Sequence, residues 1–335
     1  MAYNVGGLIE ATDYNGFVST TPSANLNGVW AAGTGDSGWG QTTIPTVAVQ
    51  QSITATQWAT LVNNLATACN QTNTSFTTRT APISGNLITV LPAVATDLTN
   101  VTINRGNTPV SGTEYGDFGV GAVSKTTPTG SGASAWTITF TQTVTFADAN
   151  SARYFFNAGG LIRLQYGKTS TGTDHDPDWN QLAGWCGNIF FTGRINAAAQ
   201  TIAGTSYTGT TRIGGTGGTE TTLATTTGYY NITAGAAATT IFQLNNVNAP
   251  YTPEFIRTTV ALNAGATALT FTTVWQDDGS AVAGATANIS GGTATNSPST
   301  TITGTAPTTL LTYRPPSTNF LTNTWGIPTI TASVA

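Results

Sequence analysis

The chain has 335 residues, a length that predicts about two globular units and allows a sizeable hydrophobic core. Only 7% of the residues are Asp, Glu, Lys or Arg, against about 25% in ordinary soluble domains. The formal net charge is −4 and the ten Lys and Arg residues are spread along the chain, so nucleic-acid binding is not expected. The eight Trp and 39% of hydrophobic residues exceed what a disordered chain contains, which predicts a folded protein.

Neither a targeting signal nor a metal-binding cysteine pattern is recognisable in the sequence. Residues 1–11 lack the basic start and apolar stretch of a signal peptide, and no apolar run reaches 18 residues. We therefore expect synthesis and folding in a cytoplasm, without membrane insertion. Cys69 and Cys186 match no zinc-ligand spacing and are expected to be reduced, partly buried thiols.

The low charge also bears on how the protein stays in solution. A free monomer usually relies on charged side chains to stay soluble. A chain with so few charged side chains has three alternatives: it stays at low concentration, it is extended, or it buries much of its surface against other subunits. We favour burial between subunits.

The N-terminal part shows helical periodicity. Thr12 can cap a short helix that carries Tyr14, Phe17 and Val18 and ends before Pro22. The following segment, Gly33–Gln41, contains the GxGxxG spacing, but no apolar strand precedes it and no helix start follows. A dinucleotide site needs both, so we predict a tight loop instead.

A second helix is predicted from Thr54 to Gln71. Thr54 and Gln57 have the spacing of a capping box. An apolar face then follows at helical spacing, formed by Trp58, Leu61, Val62, Leu65 and Cys69. The opposite face has no charge and carries Thr60, Asn63, Asn64 and Thr67. Two explanations stay open: an interface with another subunit, with Trp58, Leu61, Val62 and Leu65 as its candidate residues, or docking on the chain's own β domain.

From about residue 80 the apolar period becomes two, which predicts strands buried on one face. The best example places Trp136, Ile138, Phe140, Val144 and Phe146 on one parity and threonines on the other. The alternation returns in the segments 256–262 and 269–275. Turns are predicted at Gly214–Gly218 and Asp277–Gly279. Residues 280–307 are predicted to form a loop or a weak edge hairpin, and residues 313–335 to be extended.

One helix is expected within this β part. Asp176 and Pro177 suit its N-cap and first position, and Trp179, Leu182, Ala183 and Cys186 follow at helical spacing, before a strand at 188–192. The predicted fold is mainly β, with antiparallel β-sandwich or jelly-roll-like domains. Its divisions are an N-terminal helical attachment or oligomerisation module at 1–79, a β domain with one short helix at 80–210, and a C-terminal β domain with an extended tail at 211–335.

A search for catalytic or metal-binding groups gives only one dense cluster. Asp174, His175, Asp176 and Asp178 could hold a hard cation, but the glycine and distal glutamate of an EF-hand loop are missing, and acids at a helix start also suit its dipole. We favour the capping role. The sole histidine has no nucleophile partner, and 14 dispersed acids do not single out a glycosidase pair. No catalytic residue, cofactor or metal is predicted.

Several strings of residues resemble a known family. The run from Ser151 to Arg163, S-A-R-Y-F-F-N-A-G-G-L-I-R, followed by Asp178-Trp179, is similar to the core of virion structural proteins from marine tailed phages, cyanophages among them. Further similar segments are 11–15, 35–41, 53–58, 228–233, 240–242 and 323–328. The resemblance covers most of residues 11–279 in patches. It implies a virion subunit, often labelled tail-fibre-like, and carries over no catalytic residue.

These observations predict a non-enzymatic structural subunit of a tailed bacteriophage, located in the virion and made in the host cytoplasm. We expect a tail or neck fibre component that assembles through its N-terminal module, forms a homotrimer and contacts other virion proteins of the tail, neck or capsid. One alternative is a capsid decoration protein. A second is an adhesin that binds host-surface glycan, or a depolymerase, because exposed Trp and Tyr could stack on sugars.

Overall fold

The computed structural model describes residues 10–19, 25–79, 83, 91–109, 118–124, 136–169, 176–195, 198–248, 251–277, 286–289, 292–295 and 305–335. Within these ranges the chain forms six helices and fifteen strands. All the paired strands run antiparallel. The fold is therefore mainly β, as the sequence predicts.

The elements have the following bounds. The helices are α1 (Ala11–Val18), α2 (Leu26–Trp30), α3 (Ala55–Gln71), α4 (Leu91–Ile103), α5 (Ala149–Asn157) and α6 (Asp176–Cys186). The strands are β1 (Phe118–Ser124), β2 (Trp136–Thr145), β3 (Leu161–Gly167), β4 (Asn188–Phe191), β5 (Gln200–Ile202), β6 (Thr205–Tyr207), β7 (Thr210–Ile213), β8 (Thr219–Leu223), β9 (Thr239–Asn245), β10 (Phe255–Leu262), β11 (Ala268–Asp277), β12 (Thr286–Ile289), β13 (Gly292–Thr295), β14 (Thr308–Arg314) and β15 (Thr329–Val334).

Helix α3 begins as the sequence predicts. The Gln57 backbone N–H donates to the Thr54 hydroxyl (3.3 Å), and the Thr54 backbone N–H donates to the Gln57 side-chain oxygen (2.8 Å). These reciprocal bonds satisfy two amide donors that the first helical turn leaves without an intrahelical partner. The capping box is confirmed.

The start of α1 differs from the prediction. Its N-cap is Glu10, two positions before Thr12, and the Glu10 backbone N–H donates to the Asp13 carboxylate (3.0 Å). Asp13 thus satisfies the backbone amide of the N-cap residue, and Thr12 lies inside the helix. Tyr14, Phe17 and Val18 are buried, as expected for this helix.

Helices α4 and α5 correct the prediction of a single helix in the middle of the chain. In α4, Val94, Leu98 and Val101 recur at helical spacing and are buried, but threonine and valine in the same segment also suit a strand. Helix α5 has nine residues and is capped by Asp148, whose carboxylate accepts the Ser151 N–H (2.7 Å). The predicted helix near Asp176 is confirmed as α6, which includes Asp176 itself.

The larger strands form two antiparallel sheets. The order in the five-stranded sheet is β1-β14-β3-β4-β7, and the order in the six-stranded sheet is β15-β2-β11-β10-β9-β8. Strand β14 lies between β1 and β3, and β2 lies between β15 and β11. The segments predicted as separate β domains, 80–210 and 211–335, therefore contribute strands to the same two sheets.

The alternation predicted along the strands is confirmed in the six-stranded sheet. Ile138, Phe140 and Val144 of β2 are buried, and the threonines between them are partly exposed. Strands β10 and β11 alternate in the same way. Gln142 is an exception, because this amide is buried among the apolar residues of β2 and donates to the Thr309 carbonyl of β14 (3.0 Å).

The inner faces of the two sheets contact each other through aromatic side chains and hydroxyls. Tyr166 of β3 stacks on Phe242 of β9 with ring centroids 6.0 Å apart, and its hydroxyl lies 2.7 Å from that of Thr258 in β10. Phe191 meets Phe271 edge to face at 5.5 Å. One hydrophobic core runs from Ala11 to Trp325 and includes residues of the helices and of both sheets.

The remaining predictions for the C-terminal third have mixed outcomes. The turn at Gly214–Gly218 lies between β7 and β8. Strands β12 and β13 pair as a hairpin, while the rest of 280–304, and Asp278 and Gly279, lie outside the described residues. The extended tail ends in β15, which pairs with β2. None of the helices in the described ranges is long and apolar enough to span a membrane.

Candidate functional site

A loop in the N-terminal part and helix α5 are joined by several hydrogen bonds, although the two segments are far apart in the chain. We call residues 31–41 the glycine loop. The end of this loop folds back against α2 and the residue after it through three backbone hydrogen bonds of 2.9 Å. The amide N–H groups of Trp39, Gly40 and Gln41 donate to the carbonyls of Val29, Ala31 and Trp30, respectively. Gly33 and Gly38 have positive φ, and a Cβ on either would lie within 2.4 Å of a backbone oxygen. Only glycine fits this turn at these two positions.

Arg153 of α5 binds the glycine loop through its guanidinium. It donates to the carbonyls of Gly35 (3.0 Å), Ala32 (3.2 Å) and Ser37 (3.0 Å). A phosphate-binding loop presents amide N–H groups to its ligand. Here the loop presents carbonyls to a cation, which agrees with the prediction of a tight loop rather than a dinucleotide site.

Asn157, at the end of α5, extends the same contact into the core. Its side-chain N–H donates to the Gly38 carbonyl (2.9 Å), and its own carbonyl accepts the Trp39 indole N–H (3.1 Å). The Tyr230 hydroxyl donates to the Asn157 side-chain oxygen (2.5 Å). Asn157 is 1% exposed, so each of these bonds replaces hydration that the buried groups have lost.

The C-terminal tail closes the other side of the glycine loop. The Gln41 side chain donates to the Thr322 carbonyl and accepts the Thr322 N–H, both at 2.9 Å. The Thr324 hydroxyl donates to the Trp39 carbonyl (2.7 Å). The strings 35–41, 151–163 and 323–328, which are far apart in the chain, therefore contain residues of one contact. We call the bonded set Trp39, Gln41, Arg153, Asn157 and Thr324 the clasp.

The four candidate interface residues lie inside the chain's own core. Trp58, Leu61, Val62 and Leu65 are each at most 2% exposed. The Trp58 ring meets Tyr14 at 5.5 Å and Phe17 at 6.3 Å, both of α1. The apolar face of α3 is thus buried within the chain, and its contacts include α1.

The opposite face of α3 remains at the surface and has no charged side chain. Asn63 is exposed, and the hydroxyls of Thr60 and Thr67 donate to the helix's own carbonyls at Thr56 (2.9 Å) and Asn63 (3.0 Å). Because these hydroxyls are already bonded within the helix, the face can meet another protein surface at a low desolvation cost.

Only part of the predicted acidic cluster lies among the residues that the structure describes. Asp174, His175 and the Asp176 side chain lie outside the described part of the chain. Asp178 lies in the first turn of α6 and is fully buried. Within the described ranges no group of three or more His, Cys, Asp or Glu is placed to hold a metal ion.

Asp178 belongs to a buried polar group that the sequence does not reveal. Asn246 donates from its side chain to both Asp178 and Glu254, and Asn248 donates to Asp178 (2.8 Å). Glu254 shares a side-chain hydrogen bond with Asp178. Burial raises the pKa of Asp178 to about 6, against the lowering effect of these hydrogen bonds. Burial and the charges of Asp178 and Asp277 raise the pKa of Glu254 well above its usual value.

This carboxyl pair does not suit glycoside cleavage. Catalytic carboxyls stand about 5 to 10 Å apart with the sugar between them. Asp178 and Glu254 bond directly to each other and are 0% and 1% exposed, so no sugar reaches the space between them.

The aromatic residues considered for glycan stacking are mostly internal. Trp39, Trp58, Trp179, Trp275 and Trp325 are fully buried. A groove of about 250 Å³ beside the tail is lined by Tyr313, Pro315, Pro316, Trp325 and Ile327, together with uncharged polar residues. Ile327 is 82% exposed at its edge. This groove suits an apolar or uncharged group.

No family model, curated protein or solved structure matches the chain. The roles assigned above therefore depend on the geometry of the described residues alone.

Proposed function

We propose that the chain is a non-enzymatic structural subunit of a tailed-bacteriophage virion, most consistent with a tail or neck fibre component. In this proposal the two antiparallel sheets form a β-sandwich of the jelly-roll type. The N-terminal helical part attaches the subunit to its neighbours, and the protein assembles as a homotrimer.

The observation that carries the proposal is the scarcity of charge on the surface. The sequence has ten Lys and Arg and 14 Asp and Glu in 335 residues. Among the residues that the structure describes, six of these are buried, namely Asp97, Arg105, Lys168, Asp178, Glu254 and Asp277. The surface of the protein is therefore about as poor in charge as its sequence. Such a surface gives little repulsion between copies and little colloidal stability to a free monomer, which favours a protein that works in an assembly.

The clasp adds a second line of support. The residues that resemble the phage virion family are used to join three distant segments through buried hydrogen bonds rather than to present reactive groups. A rigid, heavily cross-bonded chain suits a particle component that must keep its shape outside the cell.

The uncharged face of α3 is the subunit contact that we propose. Placing charges there in the double variant Asn63→Lys/Thr67→Lys adds two like charges to each copy and is expected to weaken assembly. The matched control, Thr96→Lys/Thr99→Lys, makes a similar change on α4, where both hydroxyls also bond to their own helix. Equal effects of the two pairs on the oligomer mass contradict the assignment to α3.

A capsid decoration protein is the alternative with the same surface chemistry. The adhesin alternative has less support, because five tryptophans are buried and the carboxyl pair of Asp178 and Glu254 is closed to substrate. Glycan-array binding separates it from the others, since a structural subunit is expected to bind no glycan.

Reconstruction of the intact phage particle tests the proposal. The expected result is density that fits the two sheets and the helical part at the tail or neck, in three copies around a local axis. Density on the capsid surface supports the decoration alternative. Absence of the chain from purified particles overturns the proposal.

A further inference from the structure

Two asparagine side chains hold one irregular segment of the N-terminal part, residues 42–47, which we call the strap. The Asn15 side chain donates to the Val47 carbonyl (2.7 Å) and accepts the Val47 backbone N–H (2.8 Å). Asn27 forms the same two bonds with the backbone of Ile44, at 2.8 and 2.9 Å. Each amide thus pairs with the strap as a residue of an antiparallel strand would. The strap, all of which the structure describes, belongs to no helix or strand.

The position of the strap depends on these two amides. Ile44 and Val47 are 1% and 4% exposed and belong to the hydrophobic core, whereas the residues on either side of them are exposed. The Trp30 indole N–H adds one bond, to the Thr42 carbonyl (3.0 Å). An ionised carboxylate accepts hydrogen bonds but donates none. An aspartate in place of either asparagine therefore loses one bond and places a negative charge against a carbonyl of the strap.

Both asparagines precede a glycine, and the sequence contains no other Asn-Gly pair. In such a pair the glycine nitrogen can attack the asparagine side-chain carbon, because glycine has no side chain to hinder the approach. The new carbon–nitrogen bond closes a succinimide ring, the glycine nitrogen gives up its proton, and ammonia leaves. Water then opens the ring to give aspartate or isoaspartate. The net reaction consumes one water and releases one ammonia.

The fold opposes this reaction at both pairs. Asn15 and Gly16 lie within α1, and the N–H of Gly28 in α2 donates to the Asn25 carbonyl (3.0 Å). Ring closure needs the asparagine side chain to leave the strap and its backbone to rotate out of the helical conformation. Asn15 is half-buried in the last turn of α1, whereas Asn27 is 1% exposed. Asn15 is therefore the more easily released of the two.

We propose that Asn15 and Asn27 are deamidation sites gated by the strap: their amides are protected while they bind it, and they are hydrolysed when it detaches. The loss of ammonia is irreversible, and the carboxylate product cannot restore the donated bond. Each reaction thus leaves the strap permanently more weakly held, at Asn15 first.

Peptide mapping by mass spectrometry tests the proposal on the full chain incubated at pH 8. In denaturant both asparagines are expected to react at similar rates. In the folded protein Asn15 is expected to react at least about tenfold more slowly, and Asn27 more slowly still, because the rate follows the population of the detached strap. Equal rates at Asn15 in the folded and the denatured protein overturn the gating. Absence of reaction in denaturant overturns the assignment of the sites.

A matched pair of valine variants tests the role of the strap. Val47→Ala removes a buried side chain and leaves the backbone of the strap intact, so detachment becomes more frequent. Asn15 is then expected to react at least about fivefold faster in the folded protein. Val49→Ala is the same change at a side chain that is 75% exposed, and it is expected to leave the rate unchanged. Equal rates in the two variants contradict the proposal.

If Val47→Ala does not fold, the natural protein in low concentrations of urea supplies the same test. The rate at Asn15 must rise together with hydrogen exchange at the Ile44 and Val47 amides, before exchange at the β11 amides rises. A rate that rises only with exchange at the β11 amides indicates global unfolding and rules out gating by the strap.

The consequence of the reaction is tested with its product. Asn15→Asp is expected to increase hydrogen exchange at the Val47 amide, because the donated bond is lost and the carboxylate repels the Val47 carbonyl. Asn63→Asp, the same change on the exposed face of α3, is expected to leave this exchange unchanged. Unchanged exchange in Asn15→Asp contradicts the weakening of the strap.

Discussion

Trp39 donates its indole N–H to the backbone carbonyl of Asn157 (3.1 Å), and the Asn157 side chain donates in return to the neighbouring carbonyl of Gly38 (2.9 Å). The two bonds fix the glycine loop to the end of α5. Asn157 also accepts the Tyr230 hydroxyl, so one buried amide joins three segments.

Removal of this amide is expected to destabilise the whole fold. Asn157→Ala leaves the Gly38 carbonyl and the Tyr230 hydroxyl buried without their partner, which costs about 1–3 kcal/mol for each group left unsatisfied. The free energy of unfolding in urea measures the loss. Asn63→Ala on the exposed face of α3 is the control, expected to stay within about 0.5 kcal/mol of the natural protein. Similar values for the two variants contradict the role of the clasp.

The buried face of α3 gives a second prediction. Leu65→Ala removes a fully buried side chain and is expected to lower the free energy of unfolding by about 2–5 kcal/mol through lost burial and a cavity. The mass of the folded oligomer is expected to stay the same, because Leu65 faces the chain's own core. Dissociation at unchanged stability indicates instead that this face meets a neighbouring subunit. Thr67→Ala, on the opposite face, is the matched control.

The helix that carries Leu65 shows what the sequence can establish. The capping box and the spacing of Trp58, Leu61 and Leu65 are local signals, and they correctly predict α3 and its apolar side. The surface covered by that side is a long-range property. From the sequence, the apolar side of α3 is expected to pack on the β domain or on another subunit. In the structure, its contacts include Tyr14 and Phe17 of α1.

The features that the sequence does not predict have two origins, ambiguous local signals and long-range contacts. Helix α4 was missed because its valines and threonines are equally suited to strands. Gln142 occupies a core position of β2 that the alternation assigns to an apolar side chain, and only the approach of Thr309 from the other sheet explains it. Glu254 is an isolated acid in the sequence. Its partner Asp178 becomes its neighbour only through the packing of α6 on the six-stranded sheet.

The two thiols provide a direct probe of folding. Cys69 and Cys186 are free and buried, as the sequence suggests, and burial raises the pKa of each. Because the thiolate is the reactive form, neither is expected to react with a water-soluble disulfide reagent in the folded protein at pH 8. Both are expected to react in denaturant, at two thiols per chain. Rapid reaction of either thiol without denaturant contradicts the burial of that residue.

The carboxyl pair predicts how overall stability depends on pH. Asp178 and Glu254 have a higher pKa in the folded than in the unfolded chain, so their contribution is complete below about pH 4 and decreases as the pH rises through their folded values. The free energy of unfolding is expected to fall between pH 5 and 8 by on the order of 1 kcal/mol per pH unit relative to Glu254→Gln. Denaturant titrations of both proteins measure this difference. Parallel pH profiles contradict it.

The central claim is that a surface so poor in charge belongs to an assembling subunit, and the mass of the purified protein tests it most directly. Sedimentation velocity from about 0.1 to 10 µM, in the range where specific assemblies form, is expected to show one species at three times the 34.4 kDa of the chain. A stable, well-dispersed 34.4 kDa monomer at every concentration would contradict the claim.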